Sequence, residues 1–198
     1  MVTPWRASLA VSAFSTTVNL DGIDVDLAEA STTVNLGYHP GPRYGASFGL
    51  GAILGGRIDP GSGERAVDPG FLATVAGSWL ARYETEGGPF VMLSLSIGVS
   101  TTTARSDDGA VHRLTAGDAR AGVMVGKSFG RLVPYAAVRG FGGPVVWNIG
   151  GRSVGGGDVH HYTIGAGASV RLPARLDAFL ELMPLGERSA SAGLTLTF

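Results

Sequence analysis

The sequence predicts an all-β fold: one antiparallel sheet of ten strands, with eight as the alternative, closed on itself as a barrel that crosses a membrane. Three observations predict it. Apolar residues recur with period two in segments of roughly ten residues separated by turn residues, the pattern expected where one strand face meets lipid and the other a lumen. The 32 Gly and 10 Pro disfavour helices, and no uncharged apolar run reaches the roughly 20 residues a membrane helix needs. The connections between segments alternate short and long, as barrel turns and loops do.

The first two strands are expected at 5–20 and 23–38, joined by Asp21-Gly22, a strong two-residue hairpin turn. The hexapeptide STTVNL occurs on both sides of that turn, at 15–20 and 31–36, and the apolar face changes sides within the hairpin. Trp5, Ala7, Leu9, Val11 and Ala13 occupy odd positions, whereas Phe14, Val18 and Leu20 are even. A one-residue slip would exchange the two faces of a strand. Pairing about Asp21-Gly22 instead sets Trp5 opposite Tyr38 and Leu9 opposite Val34. The lower half then faces lipid throughout. Above it Phe14, Val18, Leu20, Ile23, Val25 and Leu27 point inward, while Ser15, Thr17, Asn19, Asp24 and Asp26 point out. Strands of this length exceed the roughly 9–11 residues needed to cross, so residues 14–29 are expected to stand above the bilayer and partly cap the lumen.

The third strand, 43–58, follows "HPGP" and alternates Tyr44, Ala46, Phe48, Leu50, Ala52 and Leu54 against Gly and Ser. The longer "DPGSGERAVDP" leads to 70–83, and "ETEGG" to 89–103, where Val91, Leu93, Leu95, Ile97 and Val99 face Met92, Ser94, Ser96, Gly98 and Ser100. A soluble sandwich turns its apolar face inward and charges its outer face; here the second face is small and polar. Strands at 116–128, 132–148, 158–172, 175–183 and 188–198 complete the set, with "RSDDGAVHRLTA" and "IGGRSVGGG" as long loops and "FGR" and "PA" as short turns. An even strand count puts both termini on the short-turn, periplasmic side. Residues 1–198 are expected to form one domain. Trp5, Tyr38, Tyr44, Trp79, Tyr83 and Phe198 form an aromatic girdle near the short-turn ends, with Phe71, Tyr162 and Trp147 as a sparser outer girdle.

The last ten residues, "SASAGLTLTF", carry apolar residues at every second position up to a final aromatic: Ala190, Ala192, Leu194, Leu196 and Phe198. This stretch resembles the C-terminal strand of bacterial outer-membrane β-barrel proteins, with Leu196 standing where an aromatic is common. The resemblance implies that Phe198, Leu196 and Leu194 are read by the barrel-assembly machinery, a partner during biogenesis, and that the mature chain sits in outer-membrane lipid. "MVTPWRASLAVSAF" lacks the basic and apolar regions of a secretory signal, so the expectation is a mature form behind a start Met.

A net charge of -1 gives no basic surface for nucleic acid. The absence of Cys removes disulfides, thiolate metal sites and Cys nucleophiles. Inward positions hold Arg6, Arg57, Arg82, Arg120, Arg139, Arg171 and His161 against Asp177 and Glu181. They read as mutually paired lumen charges or as a cationic constriction favouring a small anionic solute. "DVHHY" places Asp158, His160 and His161 at a strand start, near Asp107, Asp108 and His112, and carboxylate with imidazole can activate water. Adjacent His residues in a strand point to opposite faces, however, and no omptin protease motif is present. Asp21, Asp24, Asp26 and Glu29 lack the spacing of a calcium loop and read as a solvated hairpin face. "GGRSVGGG" lacks the Lys and helix of a phosphate loop and reads as a flexible loop. No catalytic residue, metal or cofactor is expected.

The function expected is that of a narrow passive pore or a structural, surface-exposed outer-membrane protein with an Arg-rich lumen. A rim hydrolase of the omptin kind and a soluble all-β binding module are the alternatives. Deleting Phe198 is expected to lower the amount of protein reaching the outer membrane in cells while refolding in detergent persists; an unchanged cellular yield would contradict the resemblance.

Overall fold

The computed structural model describes residues 4–61, 63–105, 110–149 and 151–198, which form 13 strands and no helix. In order these are β1 (Trp5–Leu20), β2 (Ile23–Tyr38), β3 (Tyr44–Asp59), β4 (Arg65–Val67), β5 (Gly70–Arg82), β6 (Phe90–Arg105), β7 (Val111–Gly126), β8 (Leu132–Gly142), β9 (Pro144–Ile149), β10 (Arg152–Asp158), β11 (Tyr162–Leu172), β12 (Leu176–Gly186) and β13 (Arg188–Thr197). Every pairing is antiparallel, and the strands close into two stacked rings that share five members.

The wider ring runs β1-β2-β3-β5-β6-β7-β8-β11-β12-β13 and closes where β13 pairs β1 from Arg6↔Thr197 to Ser15↔Arg188. These are the ten strands expected from the alternation. Short turns lie at one end of this ring. Trp5 and Phe198 meet there, the Phe198 amide donating to the Trp5 carbonyl at 3.2 Å. Outward positions form an apolar belt. Leu95 and Ile97 are 60% and 64% exposed, and Trp5, Tyr38, Tyr44, Trp79, Tyr83 and Phe198 are exposed toward the short-turn end. Trp5 and Tyr38 face each other across the β1–β2 pair with ring centroids 4.9 Å apart. Leu194 and Leu196 also face outward. The belt ends at the row Ala190–Ala13–Ala30, because two rows higher the outward residues are Arg188, Ser15, Ala28 and Arg57.

Above the belt the ring narrows. β4 takes the place of β5, and β9 with β10 takes the place of β8, β11, β12 and β13. The second ring is β1-β2-β3-β4-β6-β7-β9-β10, closed by β10 pairing β1 at Val18↔Asp158, Asn19↔Gly157 and Leu20↔Gly156. Eight strands leave an interior just wide enough for side chains to fill. Val18, Leu20, Val25, Leu27, Ile58, Val67, Ala104, Leu114, Val145 and Trp147 fill it as one buried cluster, with Phe14 packed against it. We call this upper ring the dome.

The β1–β2 hairpin keeps the expected register from Trp5↔Tyr38 to Leu20↔Ile23. Asp21 at φ 53° and Gly22 at φ 85° form the tight turn that requires two left-handed residues. Even positions of β1 face inward along its whole length; what changes is the solvent outside, from lipid-like belt to water. Val18 and Val25 are 1% and 2% exposed, and Asp24 and Asp26 are exposed. Ile23, expected inward, is exposed because the turn lifts it above the dome core.

Several expectations are corrected. The segment 132–148 is two strands, and Arg152–Gly157 is not part of a flexible loop: Arg152–Asp158 forms β10, since a strand needs backbone pairing and β9 and β1 both supply it. Trp147 is not in an outer girdle but in the dome core. Arg57 faces outward, because a bulge between the pairs Ala30↔Gly55 and Ser31↔Ile53 reverses the faces of β3 above it. Its pairing is with exposed Glu64 at 3.8 Å.

The facing assignment has a direct energetic consequence. Leu95→Arg, in the middle of the belt, is expected to cost about 2–4 kcal/mol, and Thr195→Arg, facing the lumen opposite Asp177, about 1 kcal/mol or less. Reversible unfolding from liposomes measures both; equal costs would contradict the assignment.

Candidate functional site

The interior divides into three levels. At the short-turn mouth are Arg6, Arg82, Arg171 and Asp177. Arg6 faces the lumen opposite Gly37, near the His39 imidazole, whose pKa is lowered by burial and by that guanidinium. Arg171 and Asp177 are opposite each other in register but form no ion pair. Arg82 departs from the expected lumen position. A bulge between Leu80 and Arg82 breaks the alternation, and the guanidinium lies over Gly88 in the neighbouring turn.

In the middle of the wide ring Arg139 makes a bidentate pair with Glu181, at 2.8 and 2.7 Å. Tyr135 lies beside this pair. The rings of Tyr135 and Phe179 lie over Gly167 and Gly193, where a Cβ would come within 2.6 Å of ring atoms. Aromatic volume therefore occupies the lumen at positions where small residues alone would have left a channel.

The third level lies directly beneath the dome and is the candidate site. It is a cavity of about 190 Å³ roofed by Val18, Leu27, Leu114 and Val145 and walled by Thr74, Gly98 and Ser100. Its charged residues come from four places: Glu29 on β2, Asp118 and Arg120 on β7, Asp158 at the end of β10, and Glu187 between β12 and β13. Arg120 donates to both oxygens of Glu187, at 2.7 and 3.1 Å, and its Nε donates to Asp118. The guanidinium stacks on Phe141, 4.9 Å from the ring centroid. Such a bidentate, stacked arrangement is specific to Arg.

Glu187 is placed by Gly186. At φ 78° that residue is in the left-handed region, and any Cβ there would lie 1.8 Å from the Tyr162 carbonyl. The turn this permits aims the Glu187 side chain inward, and Thr163 Oγ1 donates to its carbonyl at 2.9 Å. Asp158 is opposite Val18 in register and shares its inward face. Burial pushes the Asp158 pKa up, reinforced by Glu187 and Asp118 and opposed by Arg120 and His161.

Glu29 stands one row above the belt. It is 7% exposed, lines the cavity, and has no hydrogen-bond or ion-pair partner among the described residues. Burial pushes its pKa up to about 7. This corrects the solvated-face reading of Glu29: Asp24 and Asp26 do face water, but Glu29, opposite Phe14, has the inward parity. Glu187 was not singled out from the sequence at all. Its only signal is the Gly before it, in a segment that reads as a turn.

Arg120 and Arg139 are both held by carboxylates, and four acids against one Arg leave the cavity acidic. Among the described residues no three His, Asp or Glu converge to hold a metal ion. His160 is exposed in an outer groove with Asp26, Asp59 and Glu64, and His161 is exposed near Gly142. His112 is buried in the dome, edge-on to Trp147. Asp107 and Asp108 lie outside the described residues.

No protein-family model matches the chain, and no curated protein does. Solved structures do match. The outer membrane protease OmpT from Escherichia coli superposes with a TM-score of 0.58 at 10% identity, covering 98% of this chain and 97% of that one. The translocator domain of autotransporter NalP from Neisseria meningitidis gives 0.55 at 14% identity, over 99% and 89%. The transport unit of the autotransporter AIDA-I from Escherichia coli gives 0.51 at 12%, over 98% and 90%. The fold is therefore that of a small bacterial outer-membrane β-barrel.

The Glu29 environment generates a pH dependence. Its folded pKa, about 7, lies above the ordinary 4.5, so between those values the folded state binds more protons than the unfolded one. Stability is expected to fall as pH rises from about 4.5 to 7, by up to about 3 kcal/mol, and then to level off. Glu29→Gln should flatten that slope; denaturant unfolding across the window measures it.

Proposed function

We propose that the chain is an integral outer-membrane protein whose barrel is held shut by its dome, so that it serves as a closed, surface-exposed structural barrel. The observation that carries this reading is the continuous apolar core of the eight-stranded ring. Burying each such side chain contributes roughly 1.5–3 kcal/mol, which favours a closed ground state over an open pore. In this reading the short-turn end is periplasmic, the belt meets lipid, the dome projects from the cell, and Phe198 with Leu196 and Leu194 is recognised by the assembly machinery.

Neither competing reading draws as much support. The structure of OmpT is that of a protease, but the likeness is one of fold. His160 and His161 are both exposed, and the role proposed is a non-enzymatic one. A soluble binding module would not expose a continuous belt of Leu, Val, Ile and aromatic residues.

Planar-bilayer recording of the refolded protein tests the proposal. The wild type is expected to show no steady conductance. Val18→Asp combined with Val25→Asp should open the dome, raise conductance and speed protease cutting near Asp21-Gly22. Thr17→Asp combined with Asp26→Glu, on the outer face of the same hairpin, should do little. Steady conductance of the wild type at the level of the Val18/Val25 variant would overturn the reading.

A further inference from the structure

We propose that the cavity beneath the dome is a binding site for a small organic ammonium ion, with its charged end at Glu29 and its apolar body under the dome core. The proposal rests on the closed-dome reading, since the roof of the cavity is the underside of that core.

Two buried groups aimed into this space lack partners. Glu29 is more than nine-tenths buried and has neither a hydrogen bond nor an ion pair among the described residues. Thr16 Oγ1, also on the cavity wall, is buried without a partner. Thr16 pairs with Leu27, so Glu29 is its diagonal neighbour on the same inward face. Diagonal neighbours are about 7–8 Å apart, within reach of one group placed between long side chains. A buried donor or acceptor left unmade is costly, and both groups here can accept hydrogen bonds. The ionised Glu29 carboxylate can only accept, so the element it lacks is a donor, and the Thr16 hydroxyl can bond the same group.

Its charge follows from the remaining residues. Arg120, the cation of the cavity wall, is taken up by Glu187 and Asp118. That leaves Glu29 and Asp158 without an ion pair among the described residues, Asp158 being influenced by Arg120 and His161 without pairing with either. An anion would face four carboxylates, and a neutral apolar molecule would leave Glu29 unpaired. A metal ion would need three converging ligands, which the described residues do not provide. An ammonium group supplies three donors and a positive charge, and the Val18, Leu27, Leu114 and Val145 roof accepts a hydrocarbon body. The volume, about 190 Å³, sets the size: a cavity of about 150 Å³ holds benzene, so one ring or a short chain fits.

Isothermal titration of the protein refolded in a non-ionic detergent tests this with benzylammonium chloride, benzyl alcohol and benzoate as probes. At about pH 8, where Glu29 is ionised, benzylammonium should bind saturably with one site, at least about tenfold more tightly than benzyl alcohol, and benzoate should not bind. Glu29→Gln should weaken benzylammonium by at least about tenfold, and Asp59→Asn, in the outer groove, should leave it unchanged. Lowering the pH of the wild type to about 5, where the amine stays charged and Glu29 takes a proton, should weaken binding similarly without any substitution. Absence of saturable binding, equal binding of the alcohol, or a wild-type isotherm that ignores pH would each overturn the proposal. Conductance reports separately on closure: a conducting wild type refutes the closed dome, whereas a silent one that binds no amine refutes only the site.

Discussion

β1 changes its hydrogen-bond partner, and the architecture above the belt depends on that exchange. From Arg6 to Ser15 it pairs with β13; from Val18 to Leu20 it pairs with β10. Backbone groups in a barrel wall must be paired at every level, so a strand that outlives its neighbour needs another. β10 satisfies that need on β1, β9 on β7, and β4 on β3 and β6. Each substitution removes wall or keeps it constant, and the circumference falls from ten strands to eight. The change in diameter turns a lumen into a core.

The inner faces of β1, β2, β6 and β7 then meet two environments without a change of parity, whereas β3 changes parity at its bulge. In the wide ring Arg6, Ser8, Ala10 and Ser12 of β1 look into a polar interior; in the narrow ring Val18 and Leu20 look into the dome core. The outer face changes in the opposite sense, from Leu9 and Val11 to Ser15, Thr17 and Asn19. One strand therefore carries the inside-out pattern of a membrane barrel below and the ordinary pattern of a soluble barrel above.

The charged residues gather where these two regimes join. Beneath the dome the interior is neither filled by aromatic rings, as around Tyr135 and Phe179, nor closed by aliphatic packing. Arg120 spans this junction between Asp118, Glu187 and the face of Phe141. Its pairing with Glu187 ties β7 to the β12–β13 link across the barrel. The acids left over, Glu29 and Asp158, give the junction its character: a small, partly open space, apolar above and acidic at the side.

Much of this was legible in the residues. Alternation divided at Gly, Pro and Asp turns determined the ten strands of the wide ring, since a two-residue period between two unlike faces needs no knowledge of neighbours; only 132–148 proved to be two strands. Asp21-Gly22 determined the β1–β2 register and with it the inward parity of Val18 and Val25. The alternation of short and long connections marked the short-turn end of the wide ring, where exposed aromatic residues gather. What the sequence could not decide were features set by distant pairings. Arg152–Asp158 is Gly-rich and becomes a strand only because β9 and β1 offer edges on both sides. Trp147 looks like a girdle residue until β9 is found to line the dome. Arg57 and Arg82 have lumen parity in the sequence and lose it to bulges, which shift register without marking the alternation. Glu29 shares a run of acids with Asp24 and Asp26, yet its burial depends on a roof to which the distant β7 and β9 contribute. By itself the sequence determined the solvent each strand face meets, because that is a local, periodic property; only the tertiary structure decided which charges are paired and where the barrel closes, because those depend on residues brought together across the ring.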